Sequence, residues 1–505
     1  MIKSIVMSMA LILCFACTED PITNSNKEEN NEQQQTNEEL AMPTGWGTEP
    51  NLNALTRNAV VDYGVVSGSG EDQTSKLQSA LNDIESWGGG NLIIPEGEYH
   101  IARLYMRSNV HILVSCKATL KPYYPGYQGY TQIINMIEFS PSYTESEDGE
   151  FVENCSISCL EGTGFKYTVD NSDFYSDIEA NANLYSAMYH EDDELTTLES
   201  ELFSMGGMNK VRFARGRLAR NFLIADADIN NNFSTCCGMV FVGADTDESI
   251  TQNWEVTRPT NGVIRDCKIT NASHGYGLCQ THSGQSLLFE NLWANGGVTL
   301  RLEAHVGNNV GLFDIYGHNI YNEYGKAAVL FQPHSTHHGT MTIEGVTAVS
   351  TAHGVLIREG FTGETSSGSE EGTFSNDCRV NNINVTYGEE AQIEEKDYWI
   401  YEPELWSKIQ NVYKRTTTTI SSVGAGKFAE FNQFEGPSYA PIFDDTKGTY
   451  KVTCTNVTYS GFDTELYDTL ESDGGVLYSE NLDREQGYIW NNDRLDVFEN
   501  AIKAY

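Results

Sequence analysis

Cations are scarce in this chain: 31 Lys and Arg stand against 71 Asp and Glu in 505 residues, a formal net charge of −40. That balance argues against a nucleic-acid partner, because phosphate affinity needs a basic surface. It would also repel a polyanionic substrate, unless cations are gathered locally into a groove. At about 0.5 M ionic strength, near that of seawater, the Debye length falls to about 4–5 Å and distant carboxylates hardly act. Of the 11 cysteines, Cys14 and Cys17 fall in the N-terminal signal region, and the other nine show no paired C-x-x-C spacing, which argues against a structural zinc site. The nine cysteines from Cys116 to Cys454 read either as disulfides or as buried free thiols. The twelve-residue EF-hand spacing is absent as well. Asp226 and Asp228, or Asp245, Asp247 and Glu248, are the candidates for a structural calcium, with plain acidic loops as the simpler reading.

Apolar runs of membrane-spanning length are also lacking. The N-terminal run from Ile5 to Ala16, preceded by Lys3, is too short to span a bilayer and reads as an export signal. Ala16-Cys17 looks like a bacterial lipoprotein cleavage site, so residues 1–17 are expected to be a lipoprotein signal peptide. The membrane is then met only through a lipid anchor at Cys17, on an exported outer-membrane lipoprotein at the cell surface or in the periplasm. Ordinary secretion is the alternative. Residues 18–44, rich in Asn, Gln and Glu, have too few large apolar side chains for a core and read as a disordered acidic tether.

The folded part opens with a helix. Leu77, Leu81 and Ile84 recur at helical spacing, and Gly88-Gly89-Gly90 stops it before the apolar strand Asn91-Leu92-Ile93-Ile94. This arrangement resembles the N-terminal cap of pectin-lyase-like β-helices. Beyond it, short strands are broken by Gly, Asn and Asp turns. Polar–apolar units centred on Lys268, Leu292, Ile320 and Val346 follow one another at 24, 28 and 26 residues, the recurrence expected of one coil each. The next unit, at Ile383, comes 37 residues later, with the Gly/Ser/Glu-rich stretch Gly360–Ser375 as a protruding loop. The spacing predicts an all-β fold, a right-handed parallel β-helix with an N-terminal capping helix. The coil pattern covers 45–387 and returns at 450–505, and residues 388–449, carrying Trp399, Tyr401, Trp406 and Tyr413, break it as an insert. Those aromatics read first as a small core and second as sugar-stacking rings.

One stretch carries chemistry. In Val298-Thr299-Leu300-Arg301-Leu302-Glu303-Ala304-His305 apolar residues alternate with Arg301, Glu303 and His305, so the polar set shares one strand face. Glu303 and His305 would stand about 6.6 Å apart at a strand's rise. Inverting glycosidases keep acid and base roughly 6.5–9.5 Å apart to leave room for a water. Sulfate recognition calls for Arg forks. Arg301 and Arg358 are candidates, and so are Arg215 and Arg217 from the run Lys210–Arg220, which holds five cations in eleven residues.

Together Gly275-Tyr276-Gly277-Leu278-Cys279-Gln280-Thr281, the Gly296–His305 stretch and Ala327-Ala328-Val329-Leu330-Phe331-Gln332-Pro333-His334 resemble the iota-carrageenases of glycoside hydrolase family 82. The resemblance implies an endo-acting hydrolase, of the kind found in marine bacteria, with its catalytic domain over 45–387 and residues 388–449 as an inserted accessory domain. It would cut β-1,4 linkages of iota-carrageenan or a related sulfated galactan with inversion. Glu303 would be the general acid, Gln280 would lie near the catalytic water and a chloride, and His334 would be an active-site histidine. No cofactor is required for that chemistry, and a monomer is expected. Where the family has Glu-x-Asp this chain has Glu303-Ala304-His305, so the expected base is replaced by His305. Either His305 takes the proton from water, or a carboxylate of another coil does so (Asp314, Glu323 or Glu359), or hydrolysis is lost and the protein only binds polysaccharide. A polygalacturonase-like enzyme is the other alternative, although its Asn-Thr-Asp, Asp-Asp and Arg-Ile-Lys set is missing.

Overall fold

Coiling a chain through corners without hairpins requires residues that accept a left-handed backbone, and Asn, Asp and Gly do so at least cost. Asn109, Asn154, Asn221, Asn261, Ser286 and Asp314, all with φ between 49° and 60°, occupy the same corner of successive coils. Their side chains form a ladder, with Asn154 donating to Asn109 at 3.1 Å and Asn221 to Asn154 at 3.2 Å. A second corner is built from Asp226, Asp266, Asn291, Asn319, Gly345, Asn382 and Asn456. These positions are the Asn, Asp and Gly turns around which the sequence units recur.

This computed structural model describes residues 39–123, 134–141, 151–169, 211–243 (apart from 233 and 235), 258–304 (apart from 273 and 274), 310–362, 370–413 (apart from 395, 396, 398, 399 and 402), 433–462 and 473–479. The signal segment, His305 and the Asp245, Asp247 and Glu248 cluster lie outside them. Between the corners the strands pair in parallel into one 16-stranded and one 10-stranded sheet. This is the parallel β-helix expected from the sequence. Inside it, side chains of successive coils stack: Phe139 on Phe222 at 5.5 Å, Phe222 near Phe241 at 6.2 Å and Phe241 on Phe289 at 5.6 Å. Each such buried ring stabilises the fold by roughly 1.5–3 kcal/mol. All nine cysteines from Cys116 to Cys454 are free thiols, seven of them buried.

The capping helix spans Thr74–Ser86 and buries Leu77, Ala80, Leu81 and Ile84. It ends where Gly89 and Gly90 pass so close to Asn109 and Leu55 that a β-carbon would collide with their backbone oxygens. Among the described residues no helix is long and apolar enough to cross a membrane.

The ten-stranded sheet turns one face outward, and the registers give its columns. Arg215, Val240, Gln280, Arg301, Leu330, Leu356 and Phe443 follow one another up one column. Its upper residues are covered by the insert. Ala391–Glu394, Gln433–Gly436 and Gln410–Tyr413 form a three-stranded antiparallel sheet. Ile393, Ile400, Tyr401, Ile409 and Phe434 pack with Leu330, Leu356 and Phe443 into a second core. Tyr401 is thus core, its hydroxyl donating to the Pro437 carbonyl at 2.9 Å. The insert is shorter than 388–449, because Ala440–Asp445 already pairs in parallel with His353–Arg358 as the next coil. The two described ends of the stretch Gly360–Ser375 meet on the preceding coil: Phe361 and Gly372 donate backbone N–H groups to the His334 carbonyl, both at 2.8 Å.

Candidate active site on the ten-stranded sheet

Two glycines set the closeness of the coils here. A β-carbon on Gly277 would overlap the Val298 carbonyl, and one on Gly297 the Tyr276 carbonyl. This is the physical content of the Gly-Tyr-Gly and Gly-Gly motifs. They let the strand Gly277–Thr281 lie flat against Val298–Glu303, which places Gln280 level with Arg301 and Thr281 level with Leu302.

Leu300 and Leu302 point into the core, while Arg301 and Glu303 share the outer face. Glu303 is only 2% exposed, yet its surroundings are polar. Gln280 Nε2 donates to Oε1 at 2.5 Å, and Arg301 Nη2 donates to Oε2 at 2.9 Å. His282 Nδ1 stands 3.9 Å from Oε1. His334, beyond the end of the next strand, is close enough to act on the same charge. Its ring lies 4.6 Å from that of Phe361.

Burial would raise the carboxyl, but Arg301, the two imidazoles and the Gln280 amide outweigh it and hold Glu303 down to about 2. The raised carboxyl that an acid near neutrality requires is therefore reversed in the unliganded protein. The physical reason is the cation two residues earlier on the same strand face. Arg301 also donates to the Gly275 carbonyl and lies 5.5 Å from the Tyr276 ring centroid.

No family model matches the chain. An iota-carrageenase of Zobellia galactanivorans is 28% identical to it over 481 residues, 92% of this chain and 82% of the relative. The chain is related to the iota-carrageenases. One from Alteromonas macleodii is 28% identical over 318 residues, 62% of this chain and 54% of that relative. Among solved structures, an iota-carrageenase complexed to iota-carrageenan fragments superposes with a TM-score of 0.65 at 21% identity, over 90% of this chain and 100% of that one. A 1,3-α-1,4-β-D-galactose-4-sulfate-3,6-anhydro-D-galactose-2-sulfate 4-galactohydrolase does so with 0.66 at 22%, again over 90% and 100%. At these identities the solved structures speak for the fold.

In this iota-carrageenase-like chain the 23-residue offset from Gln280 to Glu303 suggests that Gln280 is stacked directly beneath Glu303, but it is not. One coil below Glu303, a step beyond the paired Thr281 and Leu302, stands His282; Gln280 lies diagonally, below Arg301. Sequence reasoning passed over His282, although it sits two residues after Gln280 and so on the same face by the same period of two.

The four arginines reach the outer face but differ in their engagements. Arg215 is ion-paired to buried Glu138 at 2.7 Å, which also accepts from Asn135 at 3.0 Å. Arg217 is buried, one residue past the paired Gly216 and Phe241. Arg358, expected to take sulfate, is bound to Asp397 of the insert, which also holds Lys326 at 2.7 Å. Only the fold brings Asp397 to Arg358.

The carboxylates proposed as substitute bases stand elsewhere. Asp314 and Glu323 belong to the other sheet, where Asp314 accepts from Gln285 and Glu323 from Asn295 and Tyr321. Glu359 is exposed enough to pair with Lys447. Among the described residues no group of three or more His, Cys, Asp or Glu could hold a metal ion. Asp226 accepts from the Cys159 backbone and Asp228 pairs with Lys268, so these two do not converge. Gln280 Nε2 gives one of its two hydrogens to Glu303, and the buried Gln280 atom left without a partner is the acceptor oxygen.

Proposed function

We propose that the chain is an endo-acting glycoside hydrolase that cuts β-1,4 linkages of iota-carrageenan or a related sulfated galactan, with inversion and with Glu303 as general acid. The observation that carries this reading is the convergence of Gln280, His282, Arg301 and His334 on one buried carboxyl at the open part of the sheet. The relatives' shared activity supplies the substrate class.

An acid must carry a proton when the leaving oxygen needs it, and Arg301 denies Glu303 that proton in the free protein. A sulfate group offers the Arg301 fork a competing bidentate partner. As the guanidinium turns to the sulfate, the strongest influence opposing burial is withdrawn, and burial, the largest single influence on Glu303, raises the carboxyl. Substrate binding thus arms the acid. The Gln280 amide oxygen is free to accept a hydrogen bond from the attacking water or a sugar hydroxyl. His305 is the proposed base, since a neutral imidazole accepts a proton above about pH 7.

The test is reducing-end release from iota-, kappa- and lambda-carrageenan, agarose and polygalacturonate, with the anomer of the first product read by NMR. Release from iota-carrageenan with an inverted anomer is expected. Release from polygalacturonate alone, or binding with no new ends, would overturn the assignment.

A further inference from the structure

Arg258 stands outside the machinery described so far. It is 5% exposed, and its guanidinium carbon lies 4.7 Å over the centroid of the Phe313 ring. Among the described residues no carboxylate pairs with it and no acceptor meets its Nε. Burial, with no anion to offset it, pushes the guanidinium down to about 10. The nearby His338 imidazole supplies no negative charge: burial pushes it down to about 3, and its Nδ1 already accepts from the Leu312 N–H at 3.1 Å.

Thr260 and Gln285 are register partners, and Arg258 and Ser283 each precede them by two residues, so both stand at the same end of neighbouring coils. Ser283 is 1% exposed, and its hydroxyl is likewise without a partner. It directly follows His282, whose ring stands at Glu303. A buried guanidinium with no counter-charge is costly to the fold and persists where something else compensates it. Here two unspent donors stand at the same end of neighbouring coils, and one of them, Ser283, is the residue after the carboxyl's neighbour His282.

We propose that Arg258 and Ser283 form a seat for one sulfate ester of the polysaccharide, at the flank of the groove beside His282. A sulfate monoester stays monoanionic at all working pH values. Its terminal oxygens accept from the planar fork and from the hydroxyl together. The seat as an oxyanion site rests on Arg258 and Ser283; its assignment to a sulfate ester of the substrate rests on the function proposed above.

The experiment has two arms on the full chain. Crystals soaked in sodium selenate should show an anomalous selenium peak at Arg258 in the wild type and none in Arg258→Met. Calorimetric binding of iota-carrageenan oligosaccharides should weaken at least tenfold in Arg258→Met. With turnover intact, KM should rise by the same factor while kcat stays within about threefold. Arg258→Lys, which keeps the charge and loses the fork, should show a smaller loss and covers the case in which the Met variant does not fold. Equal oligosaccharide affinity in wild type and both variants overturns the seat, even where selenate binds, which then marks an adventitious ion only. A wild type that cuts no sulfated galactan, yet loses oligosaccharide affinity on Arg258→Met, supports the seat while the hydrolase reading fails.

Discussion

The outward face of the ten-stranded sheet has two halves built on the same registers. In one column the order Gln280, Arg301, Leu330, Leu356, Phe443 changes from polar to apolar between neighbouring coils. Above the change, the insert covers the face with a core of its own. Below it, the face keeps a buried carboxyl with two imidazoles and a guanidinium gathered around it. The backbone is the same in both halves, so strand geometry positions without deciding the use. What lies on top decides which column residues are free for chemistry. Arg358 makes the point: it stands on the same face, yet Asp397 of the insert takes it up.

The strongest way to break this comparison is to remove chemistry from the open half. Glu303→Gln keeps the shape and the Gln280 contact but cannot donate a proton, so kcat on iota-carrageenan should fall by about 10³-fold. Retained activity in a folded variant would remove Glu303 from the mechanism. His305→Ala should cost about 10²-fold; an unchanged rate would exclude it as the base.

The covered half should answer in stability instead. Asp397→Asn takes the carboxylate from buried Lys326 and half-buried Arg358. Breaking such a pair costs about 3–5 kcal/mol, read as a lower denaturant midpoint with kcat little changed at a permissive temperature. If activity collapsed while stability held, Asp397 would belong to the open half and the division would fail.

The Glu303 cluster sharpens the division through pH. Its carboxyl is held at about 2 in the folded protein against an ordinary 4.5. The depressed value means that its stabilisation is fully present above about 4.5 and is lost as pH falls through 2. Between pH 6 and pH 2 the wild type should lose roughly 3 kcal/mol more stability than Glu303→Gln. Equal acid sensitivity would mean that Arg301 does not grip the carboxylate.

How much of this was legible beforehand follows from range. The period of two placed Arg301 and Glu303 on one face, and the recurring Asn, Asp and Gly turns announced the coils, because both signals are local. The same period also reaches His282, which was passed over for want of a motif. The hold of Arg301 on Glu303 reverses the expected carboxyl shift, since the balance of burial against charge depends on how deeply the strand face is covered. The Arg358–Asp397 pair joins residues 39 apart through the insert's fold, and no spacing rule reports it.

The smallest expected effect concerns the corners that both halves share. Asn319 has φ 53° and donates to Asn291 at 2.9 Å. Asn319→Gly keeps the left-handed backbone and loses one exposed hydrogen bond, so it should cost no more than about 0.5 kcal/mol. Asn319→Ala loses the bond and also forces a β-carbon into the left-handed region, adding about 1–2 kcal/mol. The two denaturant midpoints therefore separate the ladder from the corner. If Gly proved as damaging as Ala, the stacked amides would hold the coils together; if Gly were nearly silent, the backbone turn is what Asn supplies. The next coil already carries Gly345 at this corner, with no amide at all. That natural substitution favours the second outcome, and it means that open and covered halves rest on a scaffold whose corners select for φ.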